Sequence, residues 1–130
     1  VEGAKLMREH GGGAIVNISS TCGLVGNPSL VAYCASKAAV SNMTRAMALG
    51  HAAEGIRINA VCPGAVDTDM LYSERDDSAE EVRAMNLPSI PEGRVPSGEE
   101  IAHVVSFLAD ERSRHVNGAN VSVDGGFTAQ

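Results

Sequence analysis

A chain of 130 residues has about the length of one domain, and its 44% hydrophobic content suffices for a core, which excludes wholesale disorder. Ten basic residues against 16 acidic ones leave a net charge of −6, the wrong sign for a nucleic-acid phosphate surface. There is no long apolar run of the kind a membrane-spanning helix needs, and Val1-Glu2-Gly3-Ala4-Lys5 does not read as a signal peptide, so a cytoplasmic protein with no membrane partner is expected.

Residues 2–10 read as the last turns of a helix, with Leu6 and Met7 expected to pack inward and Lys5, Arg8 and Glu9 to face water. Gly11-Gly12-Gly13 ends it. Ala14 to Ile18 is a β-branched run, apolar on both faces apart from Asn17, which suits a buried parallel strand. Asn17 is expected to bond neighbouring backbone. A loop follows over 21–31, with Gly23, Gly26, Asn27 and Pro28.

From 32 to 54 the pattern turns helical, with Ala35, Ala39, Met43, Ala46, Met47 and Leu49 recurring at helical spacings. Gly55 closes this helix, and Ile56 to Val61 form a second strand, cut off by Pro63-Gly64. Residues 65–97 are irregular and acidic, with a short helix expected near 78–85 and prolines at 88, 91 and 96 that forbid a long one. Ser97 and Glu100 form a capping-box signal for a helix to Ala109 that buries Ile101, Val104, Val105 and Leu108. Asn120 to Val123 is a third strand. Three strands joined by helical crossovers imply an α/β fold with a parallel sheet in the order of the chain.

Cys22, Cys34 and Cys62 cannot all pair within the chain, none forms Cys-x-x-Cys, and the four histidines are scattered, so no metal site is expected. The thiols read as small side chains of a reducing compartment.

Chemistry gathers at the strand ends. Tyr33 and Lys37 lie four apart at the start of the long helix and therefore on one face. Ser20 follows the first strand, and Pro63-Gly64 and then Thr68 follow the second, at the edge of an open α/β sheet where ligands bind. A phenol ordinarily ionises only near pH 10, but an ammonium one turn away favours the phenolate. Tyr33 could then exchange a proton with an alcohol or carbonyl oxygen that Ser20 holds. Removing the alcohol proton leaves a hydride for a nicotinamide to accept.

Four segments carry a resemblance: Ile15 to Ser20, Tyr33-Cys34-Ala35-Ser36-Lys37, Arg57 to Gly64, and Val121 to Gly126. In order and spacing they resemble the short-chain dehydrogenase/reductases over nearly the whole chain. The resemblance implies a partial Rossmann-like, doubly wound parallel sheet, namely the last three strands with their flanking helices. It implies that Ser20, Tyr33 and Lys37 are catalytic and that Tyr33, Lys37, Pro63, Gly64, Val66 and Thr68 hold NAD or NADP. It further implies an alcohol or ketone substrate and pairing of subunits into dimers or tetramers through helix 32–54. The family's Gly-rich phosphate turn and catalytic asparagine have no counterpart here, so residues 1–130 are expected to be the carboxyl-terminal half of one dinucleotide-binding domain. Two rival expectations are an inactive fragment and an interaction module built on helix 32–54. The acidic stretch Asp67 to Glu81 reads equally as a substrate lid or a solvated loop.

Overall fold

The computed structural model describes residues 2–73 and 77–130. Its first helix, α1 (Glu2–Glu9), buries Ala4 and turns Met7 onto the same core, while Leu6 is 59% exposed. This corrects the expected inward placement of Leu6. Successive helical residues turn by about 100°, so Leu6 stands on the far side from Ala4. Gly11 and Gly12 then take positive φ angles, and the Gly12 amide donates back to Met7 O at 2.8 Å. A side chain at Gly12 would also strike Gly55, whose carbonyl oxygen stands 2.5 Å from the place of a Cβ.

Strand β1 (Gly13–Ile18) pairs in parallel with β2 (Ile56–Pro63), which pairs in parallel with β3 (Asn120–Val123), giving the order β1-β2-β3. The register runs from Gly13 opposite Ile56 to Ile18 opposite Val61, and from Ala60 opposite Asn120 to Pro63 opposite Val123. The central β2 is buried almost throughout. Alternation along it serves two cores. Ile56 and Ile58 pack with Ala4 and Ala48 on one face, and Val61 packs with Ile101 and Leu108 on the other. The sheet is thus covered on both sides. β1, expected to be fully buried, is only half-buried because it pairs on one side among the described residues.

The long helix α2 (Val31–His51) continues into a 3-10 turn at Ala52–Glu54, which ends at Gly55 with φ 71°. Its buried seam is Ser41, Thr44 and Ala48, with Met47 beside them. Of the residues that recur at helical spacings, Ala35, Ala39, Met43, Ala46 and Leu49 face outward. Polar pairs hold the seam. Asn17 Nδ2 donates to Thr44 Oγ1 at 2.9 Å, and the hydroxyls of Ser19 and Ser41 meet at 2.7 Å. Asn17 therefore bonds a helix side chain, not neighbouring backbone.

Two short helices, α3 (Asp69–Tyr72) and α4 (Ala79–Asn86), lead to α5 (Gly98–Ala109). Ile101 and Leu108 of α5 are buried and Val104 and Val105 half-buried in the second core. Arg57 on β2 ends this helix by donating to the carbonyls of Leu108 at 2.8 Å and Asp110 at 3.1 Å. No helix among the described residues is long and apolar enough to cross a membrane, and no group of three His, Cys, Asp or Glu there is placed to hold a metal ion.

The start of α5 carries a pH dependence. Glu100 accepts from the Ser97 amide at 2.9 Å and from Arg94 at 2.7 Å, and these donors, Arg94 foremost, hold its carboxyl down at about 2. A carboxyl depressed in the folded state stabilises it above the unfolded value, near 4.3, and that contribution disappears as pH falls toward 2. Glu100→Gln is expected to lower stability above pH 6, where the carboxylate contributes, and to converge with the parent as pH falls toward 2, which flattens the acid limb of a stability-against-pH curve. An unaltered acid limb in urea titrations would contradict this.

Candidate active site

The carboxyl end of β1 runs into Ser19 and Ser20, both buried, and the Ser19 amide extends the ladder to Val61 O at 2.8 Å. Ser20 is extended and caps the 3-10 turn Thr21–Gly23, its Oγ accepting from the Cys22 amide at 3.2 Å. That turn lies directly on α2. A Cβ built at Gly23 would stand 2.7 Å from both Lys37 O and Ser19 Oγ. Ser19 Oγ itself donates to Lys37 O at 2.9 Å. The absence of a side chain at Gly23 therefore sets how closely the Ser20 turn approaches the Lys37 turn of the helix. Gly23→Ala is expected to cost about 1–3 kcal/mol, the usual range for overpacking, read as a lower urea midpoint at unchanged slope. A neutral result would show that α2 yields freely there.

Tyr33 occupies the first turn of α2 and is 38% exposed. Lys37, one turn on, reaches back with its Nζ donating to Ile18 O at 3.1 Å and lying 5.5 Å from the centre of the Tyr33 ring. The ammonium thus joins the end of β1 to the phenol face, within the range of a cation–π contact. Ser20, Tyr33 and Lys37 all border the carboxyl end of β1. Among the described residues the Ser20 hydroxyl bonds the Cys22 amide and neither Tyr33 nor Lys37.

At the next strand end, Pro63 closes β2 and the Gly64 amide donates to Val123 O at 3.1 Å. Val66 is half-buried against the α5 core, while Thr68 is exposed, its Oγ1 reaching Val66 O only at 3.4 Å. Between them Asp67 is held three ways. Its amide donates to Pro96 O at 2.9 Å, and its carboxylate accepts from Tyr72 at 2.6 Å and Arg83 at 2.7 Å. The Tyr72 hydroxyl and then the Arg83 guanidinium hold the Asp67 carboxyl below its ordinary value, and the carboxylate in turn pushes the Tyr72 phenol up. This clasp ties α3 and α4 to the segment 66–68. Sequence reasoning missed it, since its members are separated by five and 16 positions. Met70 is 77% exposed on α3. Of the expected lid, residues 74–76 lie outside the described residues. A groove of about 470 Å³ lined by His103, Phe107 and Arg112 contains none of the candidate residues.

Residues 2–128 match the family model described as enoyl-(acyl carrier protein) reductase. The chain is 44% identical over 125 residues to 2-(S)-hydroxypropyl-CoM dehydrogenase 3 of Xanthobacter autotrophicus, covering 95% of this chain and 49% of that protein. It is 46% identical over 117 residues to meso-2,3-butanediol dehydrogenase of Serratia marcescens, covering 90% and 45%. Among solved structures, ElxO with NADP bound superposes with a TM-score of 0.90 at 37% identity, covering 98% of this chain and 51% of that one. The chain spans about half the length of the curated relatives it matches. The matched family model, the relatives and the Rossmann-like α/β layers together show that the chain belongs to the short-chain dehydrogenase/reductase family.

Proposed function

We propose that residues 1–130 are the carboxyl-terminal, catalytic half of a nicotinamide-dependent dehydrogenase acting on a small secondary alcohol or the matching ketone. One observation carries this reading: the Lys37 ammonium is fixed between the end of β1 and the Tyr33 ring, beside Ser20, at the ligand-binding edge of a parallel sheet. The residues present fit the nicotinamide end of NAD or NADP. Lys37 offers an ammonium, and Tyr33 and Thr68 offer exposed hydroxyls, that of Thr68 only weakly engaged. ElxO, which superposes on nearly all of this chain, was solved with NADP bound.

In this reading Tyr33 takes the proton from the alcohol oxygen, or returns it to the carbonyl oxygen in reduction. Ser20, held rigid by the turn it caps, donates to the same oxygen and orients it. Lys37 stabilises the ionised phenol by its charge and holds ribose hydroxyls with its remaining N–H groups. Pro63 and Gly64 would line the cofactor site, and Val66 and Thr68 would contact the nicotinamide carboxamide. When bound, the nicotinamide accepts or returns the hydride. The outward face of α2, with Val31 at 73% and Leu49 at 84% exposure, pairs with a second subunit in a dimer or tetramer. A cytoplasmic setting suits the three free cysteines.

The test is an absorbance assay of the full-length polypeptide with NAD or NADP and a panel of secondary alcohols. Reduced nicotinamide is expected to accumulate. Absence of turnover with every alcohol, and with every corresponding ketone in reverse, overturns the reading.

A further inference from the structure

Thr68 leads into α3 without spending its side chain on the helix. A threonine in that place ordinarily accepts from an amide of the first turn. Here the backbone is extended, no side-chain cap bond forms among the described residues, and Oγ1 donates only to Val66 O at 3.4 Å. The helix itself cannot hold that hydroxyl in place. α3 has four residues, far short of the ~12–15 that an isolated helix needs, and its Met70 is 77% exposed.

Asp67 supplies what α3 lacks. Its amide donates to Pro96 O at 2.9 Å and it pairs with Ser97 as an isolated parallel bridge, which ties its backbone to the entrance of α5. Its carboxylate then accepts from the Tyr72 hydroxyl of α3 at 2.6 Å and from Arg83 of α4 at 2.7 Å. Arg83 closes the ring of contacts, its guanidinium standing 5.6 Å from the centre of the Tyr72 ring. The Tyr72 hydroxyl and Arg83 hold the carboxyl below its ordinary value, and the carboxylate holds the phenol above its own, so the clasp is shut at neutral pH. With side chains 37% and 46% exposed, the pair of Asp67 and Arg83 adds little to global stability. Its effect is local.

We propose that Asp67 is a positioning residue for the nicotinamide: by holding Tyr72 and Arg83 it fixes α3, and with it the Thr68 hydroxyl, at the carboxyl end of β2. This rests on the dehydrogenase reading, in which Val66 and Thr68 contact the carboxamide. With the clasp open, Thr68 stands correctly in only a fraction of molecules, and the affinity for the nicotinamide falls by that fraction. ADP-ribose, which is NAD without the nicotinamide ring, makes no use of Thr68.

The full-length polypeptide is compared with Asp67→Asn, Tyr72→Phe, Arg83→Met and Arg83→Lys. In Asp67→Asn without ligand, hydrogen exchange over residues 67–73 is expected to quicken about tenfold or more, with β2 and the urea midpoint unchanged. Calorimetric titration is expected to show NAD or NADP bound about tenfold more weakly, and ADP-ribose or its 2′-phosphate within about twofold of the parent. In kinetics the loss falls on KM for the dinucleotide far more than on kcat. Tyr72→Phe, which keeps the ring against Arg83, and Arg83→Met give the same pattern in smaller measure, and Arg83→Lys, which keeps the charge, restores most of the affinity. Equal weakening of the dinucleotide and of ADP-ribose overturns the positioning role, because the clasp then acts on the whole fold. Faster exchange with unchanged dinucleotide affinity overturns it as well, and unchanged exchange overturns the clasp. A parent protein that binds neither ligand counts against the dehydrogenase reading, and the exchange rates still decide whether Asp67 holds α3.

Discussion

Tyr33→Phe is expected to lower turnover at least about a hundredfold, the low end for general acid–base catalysis and equivalent to about 2.7 kcal/mol of barrier. The substitution removes one oxygen and keeps the ring. The ring's face is what meets the Lys37 ammonium at 5.5 Å, so that contact persists. Tyr33 is 38% exposed, and no hydrogen bond from its hydroxyl supports the fold among the described residues, so the thermal midpoint is expected to stay within a degree or two. The loss should fall on kcat, because the missing proton transfer belongs to the transition state and not to substrate binding. Near-normal turnover in the phenylalanine variant would remove Tyr33 as the acid/base, whatever role Ser20 kept. A fall in KM affinity with unchanged kcat would assign Tyr33 to binding alone.

Much of this site was legible because it rests on local rules. The spacing of Tyr33 and Lys37 fixes a shared helix face, and β-branched runs bounded by glycine and proline fix β1 and β2. The pair of Ser97 and Glu100 places the start of α5, where the Glu100 side chain does accept from the Ser97 amide. What stayed hidden depends on tertiary contact. Hydrophobic periodicity does not mark the inward seam of α2, because that seam is built from Ser41 and Thr44, small side chains that bond Ser19 and Asn17. A stripe of alanines and methionines marks an apolar surface without saying what covers it. The carboxylate of Asp67 looked like one charge in an acidic loop, since nothing local announces that Tyr72 and Arg83 converge on it.

Asn59→Ala is expected to be among the most destabilising single changes, at about 2–4 kcal/mol, although Asn59 touches no candidate catalytic residue. Asn59 is 1% exposed on β2. Its Nδ2 donates to Val116 O at 2.8 Å and its Oδ1 accepts from the Ala119 amide at 3.0 Å. These two bonds dock the segment 116–119 on the central strand and set where β3 begins. Truncation leaves the half-buried Ala119 N–H without that acceptor, which costs about 1–3 kcal/mol. Val116 O keeps a weaker donor in Arg57 at 3.3 Å, so its loss is smaller. The void left by the amide adds to both. Against a total stability of about 5–15 kcal/mol this is a large fraction. Asn59→Asp separates the causes. It keeps the shape and the acceptor for Ala119, but it turns a carboxylate oxygen toward Val116 O and buries a charge. At neutral pH it should destabilise at least as much as alanine. Burial raises the new carboxyl's folded pKa above its unfolded value, so the deficit should shrink as pH falls toward 5 and the protonated carboxyl regains a donor for Val116 O. Urea titrations of both variants at pH 7 and pH 5 supply the comparison. An aspartate variant with a pH-independent deficit, or an alanine variant within 0.5 kcal/mol of the parent, would mean that β3 takes its register from the backbone ladder alone and that the amide merely fills space.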